Sequence, residues 1–256
     1  GMHQVGGVVL ALDIGTNTEV CLANEGRLTS LSCASGPAFE GAQIKYGMRA
    51  AQGAIERLRL VDGRVEYQTI GGMPPVGLCG SGILDALAQL YEAGVVNERG
   101  KLLAHPRVRG DGAEREFVLV AGDGLEEGRP AITFTQKDVR ELQLAKGAMR
   151  TGIQVLLEVN GLTAEAIDQV LIAGAFGSYI DVESAMSIGM LPPLPAARFR
   201  QVGNAAGMGA KLALVSLTKR AEVASLARRV EYVELATMPS FMKTFVQSMY
   251  LGRDLF

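Results

Sequence analysis

Residues 8–14 read VVLALDI and run directly into GTNTE. An unbroken apolar run of this length suits a central strand covered on both faces, so the fold must supply a layer on each side of a sheet. The run ends in Asp13, and Gly15 then gives the turn access to φ values that other residues avoid. The amides of Thr16 and Asn17 are left pointing outward, where they form an anion-binding concavity, and the hydroxyls of Thr16 and Thr18 add donors. Asp13 by itself would repel a phosphate. It makes chemical sense there if it holds a magnesium ion, or a water of its shell, that bridges phosphates. The same residues also compose an ordinary hairpin with an Asx-type turn.

The rest of the chain supports a mixed α/β reading. TEVCLAN and RLTSLSC flank Asn24-Glu25-Gly26, and AIERLRLVDGRVEYQTI places Asp62-Gly63 between two β-like runs, so two hairpins are expected. Ile83, Leu84, Leu87 and Leu90 follow helical spacing after GLCGSG, and Gly94 ends that helix. Thr135 and Asp138 form a capping-box start. Beyond it, Val139, Leu142, Ala145, Met149, Ile153 and Leu156 share one helical face until Asn160-Gly161. QVLIAG and FRQVG read as strands, NAAGMGAKLALVSL opens a helix, and VEYVEL is a last strand before a C-terminal helix. Hairpins come first and strand–helix alternation follows, which predicts one mixed sheet with flanking helices.

Three more glycine-rich ends invite ligands. Gly80, Ser81 and Gly82 precede a helix whose free N–H groups and dipole favour an anion or a ribose hydroxyl. The spacing is not GxGxxG, and Pro74-Pro75 rather than a clear strand precedes it, so a Rossmann dinucleotide site is disfavoured. Gly174, Ala175, Phe176 and Gly177 end the strand VLIAG, where small residues let a flat ring approach the backbone. VGNAAGMGAKLAL repeats the pattern. Taken singly, each also serves as a tight join between elements.

Composition narrows the classes. The formal net charge is -2, so no basic field draws nucleic acid or anionic lipid. No run of about 20 apolar residues spans a membrane. Three dispersed cysteines (Cys21, Cys33, Cys79) and two histidines make a disulfide framework, a zinc site or an iron–sulfur cluster in this chain unexpected; they read as reduced and cytoplasmic. His3 and His105 fall in polar segments and are poor catalytic candidates. Cys79 beside a helix start has either a lowered pKa or an inert packing role. Gly1 before Met2 reads as a remnant of tag removal, with residues 1–7 a flexible N-terminus.

In this order, the motifs resemble those of the acetate kinase, sugar kinase, Hsp70 and actin superfamily, with DIGTNTE similar to its phosphate motif and VLIAGAFG to its adenosine motif. More specifically, DIGTNTE, ASGPAFEGAQIKYGMRAAQGAIE, LCGSGILDAL, LIAGAFGSYID and VGNAAGMGAK together resemble the C-terminal ATPase domain of the reductive activators of corrinoid-dependent methyltransferases. The resemblance runs from about residue 8 to 251. It implies an α/β, ribonuclease-H-like mixed sheet with flanking helices, an actin-like ATPase lobe over 8–256, with a hairpin and helices inserted at about 54–134.

The resemblance also implies roles. Asp13 would organise Mg2+; Gly15, Thr16 and Asn17 would hold the phosphates of ATP or ADP. Gly80, Ser81 and Gly82 would face ribose or adenine, and Gly174, Ala175, Phe176 and Gly177 would flank the adenosine. Glu19 would position the attacking water, unless it is a solvated strand residue. Family members usually carry a [2Fe–2S] ferredoxin domain and an earlier lobe with the first phosphate motif. DIGTNTE matches the second, so the chain alone is not expected to turn over ATP at a useful rate. The implied activity is ATP hydrolysis driving reduction of inactive cob(II)alamin, with a corrinoid protein or corrinoid-dependent methyltransferase as partner. A non-catalytic docking module and a small-molecule kinase of the same superfamily stay open, as does a homodimer.

Overall fold

The computed structural model describes residues 2, 6–122, 130–174 and 176–253. The chain begins with β1 (Val9–Asp13), β2 (Thr18–Asn24) and β3 (Arg27–Cys33), an antiparallel meander. Glu25 and Gly26, at φ 48° and 84°, make the tight turn between β2 and β3 that the sequence announces. The hairpin of β4 (Ala54–Val61) and β5 (Arg64–Thr69) follows, then the two-residue β6 (Gly77–Leu78) and helix α1 (Gly80–Glu92). Next come β7 (Val108–Arg109), β8 (Glu116–Val120), β9 (Ile132–Thr135) and the long helix α2 (Gln136–Val159). The chain closes with β10 (Gln169–Ala173), α3 (Val182–Ser187), β11 (Phe199–Gly203), α4 (Ala205–Val215), α5 (Leu217–Ala227), β12 (Val230–Tyr232) and α6 (Phe241–Ser248).

The main sheet has the order β11-β10-β1-β2-β3-β12. β10 runs parallel to β1 and to β11, β2 antiparallel to β1, and β12 parallel to β3. This is the expected ribonuclease-H-like mixed sheet, with β1 at its centre. Two three-stranded sheets, β5-β4-β6 and β7-β8-β9, lie in the chain between β3 and α2.

One face of the main sheet is sealed. Leu10, Leu12, Val20, Leu22, Leu31, Val170 and Ile172 are all buried there. Helix α2 packs on β2 and β3 on that side, presenting the expected stripe Val139, Leu142, Ala145, Met149, Ile153 and Leu156, every member buried. Its capping box is complete: the Asp138 amide donates to Thr135 Oγ1 at 3.0 Å, and the Thr135 amide to Asp138 Oδ2 at 2.8 Å. Gly152 allows the close approach of helix to sheet, since a β-carbon there would stand 2.3 Å from Cys33 Sγ.

The opposite face departs from the expectation of full cover on both sides. Val9, Ala23 and Leu28 are buried against Leu226 and Val230, but Ala11, Asp13, Cys21, Ser30 and Ser32 are half-buried. A sheet row that ends in carboxylates and serines resists an apolar layer, because uncompensated burial of such groups is costly. α4 and α5 pack mainly on each other and leave Leu214, Val215 and Leu217 exposed.

Candidate functional site

The ends of β1 and β10 meet first. The Ile14 amide donates to the Ala173 carbonyl at 3.1 Å, extending the parallel pairing past both strands. Gly174 then turns at φ 93°, and a β-carbon on it would lie 2.4 Å from the Ile14 carbonyl oxygen and 3.0 Å from Asp13 Oδ1. Only glycine keeps this space beside the Asp13 carboxylate open. Gly15, Thr16 and Asn17 are exposed in the turn that follows, as their proposed contact with a phosphate requires.

Glu19 faces Asp13 directly across the β1–β2 pair, so both carboxylates stand on the same half-open face. Ser32 Oγ donates to Glu19 at 3.2 Å. Burial first, then the charges of Glu19 and Asp13, push the neighbouring Cys21 thiol up, which keeps it protonated.

Thr18 differs from its expected role. Its side chain is fully buried with Val20 and Leu22, and Thr18 Oγ1 accepts from Ser35 Oγ at 2.6 Å. The period of two along β2 turns residue 18 inward, so Thr16 alone of the two hydroxyls stands in the turn.

The second component is an apolar cleft of about 520 Å³ beside the N-terminus of α1. Phe39, Met48, Ile70, Phe176 and Tyr179 form its apolar lining, and Gly80, Ser81 and Cys79 its helix side. Phe176 stacks on Phe39 with ring centroids 4.7 Å apart and an interplanar angle of 21°. Gly80 makes this possible: a β-carbon there would be 2.2 Å from the Phe39 carbonyl oxygen and 2.7 Å from the Phe176 ring. Glu40, Arg49 and Glu56 supply charge at the cleft.

The structure thus brings Asp13, Gly15, Thr16 and Asn17 to one strand end, next to Gly174. It places Gly80, Ser81 and Phe176 in the adjoining cleft. Gly82 and Gly177 do not line it. Gly82 is buried where a β-carbon would sit 2.1 Å from the Ile55 carbonyl, so it serves the contact of α1 with β4; Gly177 packs against the Ala173 carbonyl in the same way. The position of Ala175 lies outside the described residues.

The segment SGPAFEG…GMRA was informative in sequence only through resemblance, and it carries Phe39, Glu40, Met48 and Arg49. It is held by backbone pairing, with the Met48 amide donating to Leu78 at 2.9 Å and the Leu78 amide to Tyr46 at 2.8 Å. β6, hidden behind Pro74-Pro75 in the sequence, exists because of this contact and its parallel pairing with β4.

Residues 7–255 match the family described as the C-terminal domain of RACo, the ASKHA domain. This chain belongs to that family. Its similarity to the corrinoid activation enzyme RamQ of Eubacterium limosum is 40% identity over 96% of the chain and 43% of that protein. The [Co(II) methylated amine-specific corrinoid protein] reductase of Methanosarcina barkeri is 28% identical over 91% of the chain and 44% of its own length. A solved structure titled reductive activator for corrinoid, iron-sulfur protein superposes with a TM-score of 0.89 at 41% identity, over 98% of this chain and 41% of that one. The ASKHA-family chain therefore spans less than half the length of the relatives it matches. The actin-like, mixed α/β architecture agrees with this membership. No described helix is long and apolar enough to cross a membrane.

Proposed function

We propose that this ASKHA lobe binds an adenine nucleotide at the junction of β1, β10 and α1, and serves an ATP-dependent reductive activator of corrinoid proteins. The observation that carries the reading is the adjacency of an exposed Gly15–Asn17 turn to an aromatic-walled cleft at a helix start. Amides in such a turn suit phosphate oxygens, and a stacked pair of phenylalanines suits a flat purine. The names of the relatives, which speak of corrinoid activation and corrinoid-protein reduction, supply the partner class.

Asp13 fits Mg2+ in its chemistry: a half-buried carboxylate beside open amides, with Gly174 leaving room next to Oδ1. When bound, that ion neutralises phosphate charge and orients the transferring group. Gly15, Thr16 and Asn17 hold the phosphates, Gly80 and Ser81 flank the ribose, and Phe176 covers the base. Glu19, standing across from Asp13, orients a water in this reading. The opposing wall that closes over the phosphates is assigned to another segment or chain, and so is the electron donor. Reduction of cob(II)alamin by a modest donor is uphill, so nucleotide hydrolysis must be coupled to the movement that brings donor and corrinoid together.

Calorimetric titration with ADP and Mg2+ tests the site. A ligand at 100 times its dissociation constant should raise stability by about 2.7 kcal/mol, readable as a melting shift. Asp13→Ala should remove the metal-dependent part. The absence of any binding or melting shift would overturn the nucleotide reading. The corrinoid assignment is tested separately, by pull-down of a corrinoid protein and by following its cob(II) absorbance with donor, ATP and a longer relative.

A further inference from the structure

The short 3-10 turn Ala38–Glu40 touches three parts of the site at once. Phe39 contributes its ring to the stack with Phe176 and its carbonyl to the close contact at Gly80. The next residue, Glu40, lines the same cleft and reaches the phosphate turn, where Thr16 Oγ1 donates to Glu40 Oε1. The backbone reinforces this link, because the Gly36 amide donates to the Thr16 carbonyl at 2.9 Å. The turn is fixed internally by the Glu40 amide donating to Pro37 at 3.0 Å and by Gly41 at φ 85°. A β-carbon on Gly41 would lie 2.5 Å from the Met48 nitrogen, so the loop return locks it in place.

Glu40 is exposed, and among the described residues it forms no ion pair. Its carboxylate therefore stands without a direct ion-pair partner at the hydroxyl that a phosphate would have to take over, with Arg49 elsewhere on the same cleft. We propose that Glu40 is a positioning and selectivity residue: its carboxylate holds Thr16 in the empty site and opposes any phosphate that arrives without a divalent cation. The proposal rests on the nucleotide reading above. An incoming phosphate oxygen competes with Glu40 Oε1 for one donor and meets a like charge within a few ångströms. A divalent cation beside the phosphates weakens that repulsion, because it cancels most of the phosphate charge that Glu40 faces. In an exposed site the effect is modest. It bears on the phosphate end and spares the base, which Phe39 and Phe176 contact.

The test is calorimetry on the chain and its Glu40→Gln variant with three probes: adenosine, ADP in EDTA, and ADP with Mg2+. Glutamine keeps the length and an acceptor for Thr16 while removing the charge. The affinity for metal-free ADP, taken relative to adenosine, should rise roughly threefold in Glu40→Gln, and the gain from Mg2+ should shrink by a similar factor. If Glu40 only shapes the turn, adenosine and ADP weaken together and the Mg2+ gain is unchanged, which overturns the proposal. A larger Mg2+ gain in the variant also overturns it. Should the unaltered chain bind neither adenosine nor ADP, the nucleotide reading itself fails and the proposal with it. Melting curves of both proteins confirm that an exposed substitution leaves the fold intact.

Discussion

Phe176 stacks on Phe39 across the mouth of the cleft, its ring within van der Waals reach of the Gly80 backbone. One ring comes from the loop after β3, the other from the loop after β10, and helix α1 starts beneath them. The wall is thus assembled from three distant segments, and each can be removed separately.

Phe176→Ala should weaken adenosine binding about tenfold. An aromatic pair contributes about 0.5–1.5 kcal/mol beyond its buried area, and the base loses its stacking surface as well. Gly80→Ala should do the same from the other side, because its methyl would collide with the Phe39 carbonyl. Titration with adenosine reads both. Unchanged affinity in the two variants would remove this cleft from the nucleoside site.

Gly174→Ala should be destabilising by about 1–3 kcal/mol, since it combines a left-handed φ of 93° with a methyl pressed onto the Ile14 backbone. Asp13→Asn should leave the melting temperature nearly unchanged yet lose the magnesium-dependent part of ADP binding. Denaturant melts separate the first effect, and titrations with and without Mg2+ the second. Equal metal dependence in Asp13→Asn would show that the ion is held elsewhere.

Asp85 gives a pH dependence at acid pH. Burial raises its carboxyl from the ordinary 3.8 to about 6, against the opposing pull of the Leu58 amide, Arg57 and the Ser184 hydroxyl. The folded chain then binds more protons than the unfolded one between these values, so stability declines as pH rises from about 4 through 6. Asp85→Asn preserves the acceptor for Leu58 and removes the titration. Its melting temperature should vary less than that of the unaltered protein between pH 4.5 and 7; parallel profiles would contradict the assignment.

Lys146 acts in the alkaline range. It is fully buried on α2, donates to the Tyr250 carbonyl, and lies near Arg150. Burial first, and then the Arg150 charge, lower its pKa to about 6. Here the unfolded chain binds the extra proton from about pH 6 to the ordinary lysine value, so stability increases with pH across that window. Lys146→Met should flatten this rise, and melting curves between pH 6 and 9.5 will show whether it does.

Strand and helix positions were legible wherever a short-range rule applies. The hairpin turns at Glu25-Gly26 and Asp62-Gly63 and the Thr135–Asp138 capping box are satisfied by neighbours in sequence, and the structure realises each as expected; the run VVLALDI forms the strand β1, but without the full cover expected on its second face. The exposed glycine turn at Gly15–Asn17 was legible for the same reason. What the sequence could not reveal depends on contacts across the chain. Thr18 turns inward to meet Ser35 in the loop after β3, and Gly82 serves the packing of α1 against Ile55 of β4, while Gly177 serves a tight local return onto Ala173. A glycine needed for close packing looks identical in sequence to one that opens a site. Local chemistry determined that β1 ends in a carboxylate and a glycine turn. Tertiary packing decided that Phe39 and Glu40 stand beside that turn, because pairing of the Tyr46–Met48 segment with β6, and of β6 with β4, carries them there.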